Sequence, residues 1–114
     1  MIRASFHQNS DQTIDSFLIK GHADSGPYGQ DLVCAAVSAV TIGTINNLEK
    51  LTGASPQVVM DEVNGGHLGC QFDKAISHDT ALLLDNLFWI LKDIEGSYSK
   101  NIEVQVQKNK IDLD

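Results

Sequence analysis

Asp31-Leu32-Val33-Cys34-Ala35-Ala36-Val37-Ser38-Ala39-Val40-Thr41-Ile42-Gly43-Thr44-Ile45-Asn46-Asn47-Leu48-Glu49-Lys50-Leu51 reads as one long helix. Apolar residues at 33, 36, 37, 40, 48 and 51, with Ala39 and Ile45 beside them, give it one broad buried stripe. Asp31 is a natural N-cap, because its carboxylate can accept from a backbone N–H two or three residues on. That puts Cys34 at about the third helical position, and Gly53 is a plausible stop. Gly43 lies inside the helix, where glycine costs about 1 kcal/mol relative to alanine. It reads as a site of close packing.

Outward from this helix, the sequence supplies a sheet. Ile2 to His7 alternates apolar and polar residues, Gln8 to Gln12 is a turn, and Thr13 to Lys20 is a second strand, so the two form a hairpin. Gln57 to Val63 is a third strand, Asn64-Gly65 a hairpin signal, and His67 to Phe72 a fourth strand weakened by Gly69. Ser77 or Asp79 caps a second helix that runs to about Tyr98. Its Leu83, Leu84, Leu87, Phe88, Leu91 and Ile94 recur at helical spacing. Ile102 to Gln107 is a closing strand, and Lys108 to Asp114 reads as a loose polar tail. The order is β-β-α-β-β-α-β. It predicts an α+β two-layer sandwich, a mostly antiparallel sheet with both helices packed on it.

At 114 residues, positions 1–114 form a single domain, without repeat, low-complexity segment or linker. The longest apolar run is short of a membrane span and no leader opens the chain, so a soluble cytoplasmic protein is expected, with no membrane partner. Fifteen acidic and eight basic residues give a formal charge of −7. This argues against direct binding of nucleic acid, which needs basic surface, and suits a basic partner. In such a compartment Cys34 and Cys70 are expected to be free thiols.

The chemistry concentrates in Gly21 to Ser38, where a histidine precedes a glycine-containing loop and a cysteine opens the helix. A thiol is an effective nucleophile only as its thiolate, which a helix N-terminus and a nearby imidazole both favour. Free cysteine is more often a small buried hydrophobe. Against that stand the first-turn position, N–H groups near Val33 and Cys34 that could receive an oxyanion, and Gly26 and Gly29, where a substrate backbone could approach. His22, twelve residues earlier at a strand end, is the candidate general base, or merely a polar residue there. Asp31 is first a cap, and could also orient His22. Ser38 lies one turn after Cys34 and is either a supporting polar group or a helix-packing serine. A zinc site from His22, Cys34, His67 and Cys70 is disfavoured, because His67 and Cys70 are three apart on a strand and should face opposite sides. No metal is expected, and His7 and His78 read as surface residues.

Gly21-His22-Ala23, Gly26, Tyr28-Gly29, Asp31 and Val33-Cys34-Ala35-Ala36-Val37-Ser38-Ala39 together resemble the Prp family of ribosomal-processing cysteine proteases. The likeness extends over nearly the whole chain. It implies a cysteine endopeptidase that removes a short N-terminal extension from large-subunit ribosomal protein twenty-seven. In that extension an aromatic, apolar cleavage motif is followed by a basic sequence. It implies Cys34 as nucleophile, His22 as base, a homodimer, no cofactor, and a substrate loop of Gly26, Tyr28 and Gly29 that orders over the peptide. Pro27 stiffens one point of that loop. The acidic charge would attract the basic tail of a ribosomal protein. The competing reading is a non-enzymatic ribosome-associated binding module with a structural or redox-sensing Cys34.

Overall fold

A computed structural model describes residues 1–23, 26 and 31–114. Tyr28 and Gly29 of the expected substrate loop, and Pro27, lie outside the described residues. The elements follow the expected order: β1 (Ile2–Gln8), β2 (Ile14–Lys20), α1 (Leu32–Thr52), β3 (Gln57–Met60), β4 (His67–Gln71), α2 (His78–Ser97) and β5 (Ile102–Gln107). In space the five strands run β3-β4-β2-β1-β5. Three of the four pairings are antiparallel, and β5 lies parallel to β1, so the sheet is mixed. The parallel pair follows from α2, which carries the chain from β4 at one side of the sheet to the opposite edge.

The alternation read in the sequence decides which face is covered. Ile2, Ala4 and Phe6 of β1, Phe17 and Ile19 of β2, Cys70 of β4, and Ile102 and Val104 of β5 all enter one core. Leu84, Leu87 and Leu91 of α2 and Val33, Val37 and Leu48 of α1 complete it. Phe6 sits between Phe17, at 5.7 Å between ring centres, and Phe88, which meets it edge-on at 5.2 Å. Both predicted caps form. Asp31 accepts from the Cys34 N–H, Ser77 accepts from the Thr80 N–H, and Gly53 closes α1 in the left-handed conformation.

Several expectations need correction. The buried stripe of α1 is Val33, Val37, Thr41 and Leu48, narrower than expected, and Ala36 and Leu51 face solvent. The reason is that α1 packs mainly on α2 rather than flat on the sheet. A side chain at Gly43 would meet nothing within 4 Å, so close packing does not explain this glycine. At 21 residues α1 is long and apolar enough to pass as a membrane span by length and composition, contrary to the sequence reading. Core helices pass the same test, and one face of α1 is buried in this core. His7 is buried rather than exposed. Its Nδ1 lies 2.6 Å from Asp15 Oδ1 and its Nε2 lies 3.2 Å from the Lys108 carbonyl oxygen. The tail is not loose either. Leu113 is buried over Gly69 and Leu18, and the His67 Nε2 lies 2.7 Å from the Leu113 carbonyl oxygen.

Candidate active site

The site forms where β2 ends and α1 begins. Gly21 follows β2 at a positive φ of 92°, and a side chain there would collide with the Met1 carbonyl. Its N–H donates to the Gly66 carbonyl at 2.8 Å, which ties the end of β2 to the turn before β4. His22 comes next, exposed on one side and backed on the other by Gly65 and Gly66. A Cβ on Gly66, whose φ is +73°, would lie 2.7 Å from the His22 Nε2. The absence of a side chain at Gly66 therefore fixes where the imidazole can rest.

Ala23 links this histidine to the cysteine. Its N–H donates to Cys34 Sγ at 3.1 Å, and its carbonyl accepts from Asn101 Nδ2 at 2.9 Å. Asn101 is held in turn by the Ile2 N–H, which donates to its carbonyl at 2.9 Å. Ala23, bonded through both its N–H and its carbonyl, thus aims a backbone donor at the sulfur, an arrangement that favours negative charge there. Cys34 is half-buried in the first turn of α1, where the helix N-terminus has the same effect.

One sequence expectation changes. The Cys34 N–H is already committed to Asp31 Oδ1 at 2.9 Å and the Ala35 N–H to the Asp31 carbonyl at 3.0 Å. The Cys34 N–H is therefore not an open oxyanion donor, and Asp31 acts as the cap. Ser38 is exposed one turn after Cys34.

His22, Cys34 and Ser38 line a single cavity of about 380 Å³. Its apolar walls include Ile2, Ile19, Val37, Met60 and Leu68. Its rim carries Asp61 and Glu62, and no Lys or Arg lines it among the described residues. Backbone N–H groups of Asn64 and Val63 hold the Asp61 carboxyl below its usual range, at 3.0 and 3.1 Å. A second cavity, about 420 Å³, lies at the other end of α1 against Thr52, Ser77 and Thr80, and contains neither His22 nor Cys34.

Cys70 is a different kind of thiol. It is fully buried in the core, and desolvation pushes its pKa up to about 12. The His67 ring, as noted, reaches the tail. The described residues contain no group of three or more His, Cys, Asp and Glu placed to hold a metal ion.

Sequence reading missed Gly66, Asn101 and Asp61. Asn64-Gly65-Gly66 signalled a turn, but nothing in it said that the turn would back a histidine. Asn101 lies 78 residues from its partner Ala23, and no local pattern marks such a contact.

Residues 1–103 match the family model for the cysteine protease Prp. The ribosomal processing cysteine protease Prp of Staphylococcus aureus is 34% identical over 104 residues, 91% of this chain and 97% of that protein. The protein of the same description from Bacillus subtilis is 34% identical over 108 residues, 91% of this chain and 96% of its own length. A crystal structure of the S. aureus protease with a covalently linked product peptide superposes with a TM-score of 0.89 at 33% identity. It covers 94% of this chain and all of that one. The SMU.848 protein of Streptococcus mutans superposes with a TM-score of 0.84 at 27% identity, covering 96% of each chain.

Proposed function

The chain belongs to the cysteine protease Prp family, a family of ribosomal-processing proteases, and from that premise we propose that Cys34 is its nucleophile and His22 its general base. The observation that carries this is the Ala23 N–H on the Sγ of Cys34, a residue that lines the same cavity as His22.

The steps follow from that geometry. The Cys34 thiolate attacks the scissile carbonyl carbon and forms the S–C bond. The Ala23 N–H, already 3.1 Å from the sulfur, lies where it can pass to the oxygen on which negative charge develops. The C–N bond breaks as protonated His22 gives its proton to the leaving amine. Water then attacks the thioester, His22 takes its proton, and the acid product leaves with Cys34 restored. No step calls for a cofactor. Asp31 supports the nucleophile as the cap of its helix, and Ser38 is a polar neighbour on the cavity wall.

The substrate proposed is the N-terminal extension of large-subunit ribosomal protein twenty-seven, cut in the cytoplasm during ribosome maturation. Two features support a basic peptide, the net charge of −7 and the acidic rim at Asp61 and Glu62. The S. aureus relative, solved with a covalently linked product peptide, supports covalent catalysis. Homodimerisation, as in the resemblance above, is part of the proposal and is read by sedimentation. The test of function is cleavage of the extended ribosomal protein by wild type, Cys34→Ala, Cys34→Ser and His22→Ala. The account expects full cleavage by wild type, none by Cys34→Ala or Cys34→Ser, and cleavage by His22→Ala lower by about a hundredfold or more. Full cleavage by Cys34→Ala would overturn it.

A further inference from the structure

The two edges of the sheet are finished differently. At one edge β5 carries Glu103, and the N–H of Val104 is taken by Glu95 Oε2 of α2 at 2.7 Å. Charged side chains and covered donors keep an edge strand from pairing with another chain. At the other edge lies β3, whose Gln57, Val58, Val59 and Met60 include no charge and no proline. Its pairing with β4 runs without a bulge. Two hydrogen bonds fix which of its backbone groups face outward. The Asp61 N–H donates to the His67 carbonyl at 3.0 Å, so these two residues oppose each other as a hydrogen-bonded pair. In the same register, every second pair is bonded, Val59 with Gly69 and Gln57 with Gln71. The Gly21 N–H on the Gly66 carbonyl sets the same alternation on the other side of β4, turning Leu68 and Cys70 towards β2. The N–H and carbonyl groups of Val58 and Met60 therefore point out from the sheet edge. None of the four has a backbone partner among the described residues. Both residues are exposed, at 40% and 42%. Met60 also lines the cavity that Cys34 and His22 line.

We propose that the β3 edge is the docking strand for the peptide substrate, which pairs with the backbone of Val58 and Met60 and extends the sheet. Two alternate residues offer two donors and two acceptors to an extended chain. Such bonds hold a peptide whatever its side chains are, so they supply affinity and register, and side-chain preference is left to the cavity. The edge suits a substrate rather than a second copy of this chain because it is continuous with the candidate active site. Met60 and the next residue, Asp61, both line the cavity that Cys34 and His22 line. Pairing of this kind selects an unstructured segment, whose backbone groups are free. A segment already in a helix or a sheet has committed its own.

The inference rests on the protease reading above. The test uses a cleavable parent peptide and a set of copies that each carry one ester, which replaces a backbone N–H by oxygen and removes one donor. The esters are placed in turn at every position two or more residues from the cleaved bond. The expected result is a loss of about fivefold in kcat/KM at every second position along the paired stretch, with little change between. Val58→Pro tests the strand itself. The Val58 N–H faces away from β4, so proline removes an edge donor and no bond within the sheet. Val58→Pro should stay folded and cleave the parent about tenfold less efficiently, and an ester penalty seen in wild type should vanish in it. Val58→Thr keeps the N–H and should keep both. Met60→Pro removes the other edge donor and is read in the same way if Val58→Pro does not fold. Equal cleavage of all the ester peptides, with the parent cleaved, would overturn the docking strand and leave the protease standing. So would an alternation that the proline variants leave intact. A dimer in sedimentation that Val58→Pro breaks, with the ester series unchanged, would assign the edge to a second copy and overturn it too. No cleavage of the parent by wild type would overturn both readings.

Discussion

The main-chain N–H of Ala23 donates to the Sγ of Cys34 at 3.1 Å. Eleven residues separate the two in sequence. The residue that supplies this donor is also held through its carbonyl, which accepts from Asn101 Nδ2 at 2.9 Å. Asn101→Ala should therefore loosen the donor rather than the nucleophile itself. The expected outcome is a kcat lower by about tenfold to a hundredfold with KM little changed. Steady-state kinetics on a single extended substrate separates the two.

Gly66 is the second support. Alanine at this position would bring a methyl group to 2.7 Å from the His22 Nε2, at a positive φ that side chains rarely adopt. Gly66→Ala should displace the imidazole and lower kcat/KM by about a hundredfold, the effect of a misplacement of about 1 Å. Its stability should fall by about 1 kcal/mol from backbone strain. A urea titration measures the second effect, so the loss of activity can be told from unfolding.

Asp31 caps the helix that carries Cys34. Asp31→Ala removes the acceptor of the Cys34 N–H and should cost about 1 kcal/mol of stability. Asp31→Asn keeps a capping oxygen and should recover most of it. If Asp31 served only to orient His22, the two variants would unfold at the same denaturant concentration as wild type.

Cys70 gives a pH prediction. Its folded pKa is pushed up to about 12, above the ordinary thiol value, so the folded state keeps a proton that the unfolded chain loses first. The stability it contributes is fully present below the unfolded pKa and is lost as pH rises from about 9 to about 12. Cys70→Val should remove that part of the alkaline slope in denaturation curves. A slope unchanged by the substitution would place the titration elsewhere.

The tail offers a stability test away from the site. Leu113 is 6% exposed, set against the bare backbone of Gly69. Leu113→Ala should destabilise the fold by about 2 kcal/mol, at the lower end for a buried leucine. Chemical denaturation measures it.

These residues also show what a sequence can tell and what it cannot. The strands, both helices, the Asp31 and Ser77 caps and the Gly53 stop were legible, because each rests on short-range periodicity or on one residue's conformational preference. The nucleophile candidate was legible for the same reason, since a cap fixes the turn that follows it. The buried places of His7 and Leu113 were not. His7 is buried by the tail's Lys108, 101 residues away, and Leu113 by Leu18 and Gly69, so each depends on contacts between distant parts of the chain. The stripe of α1 was overdrawn because periodicity names the apolar face but not the width its neighbour covers. Gly66 and Asn101 matter only through partners that the folded sheet brings to them.

The central claim is a thiolate at Cys34 that depends on His22. The measurement that tests it most directly is the rate of Cys34 alkylation against pH, in wild type and His22→Ala, with Cys70 replaced by valine in both. The account predicts rapid alkylation that persists well below the pH at which an ordinary thiol falls silent, and a profile shifted to higher pH in His22→Ala. A slow thiol with an ordinary profile, unchanged by His22→Ala, would contradict it.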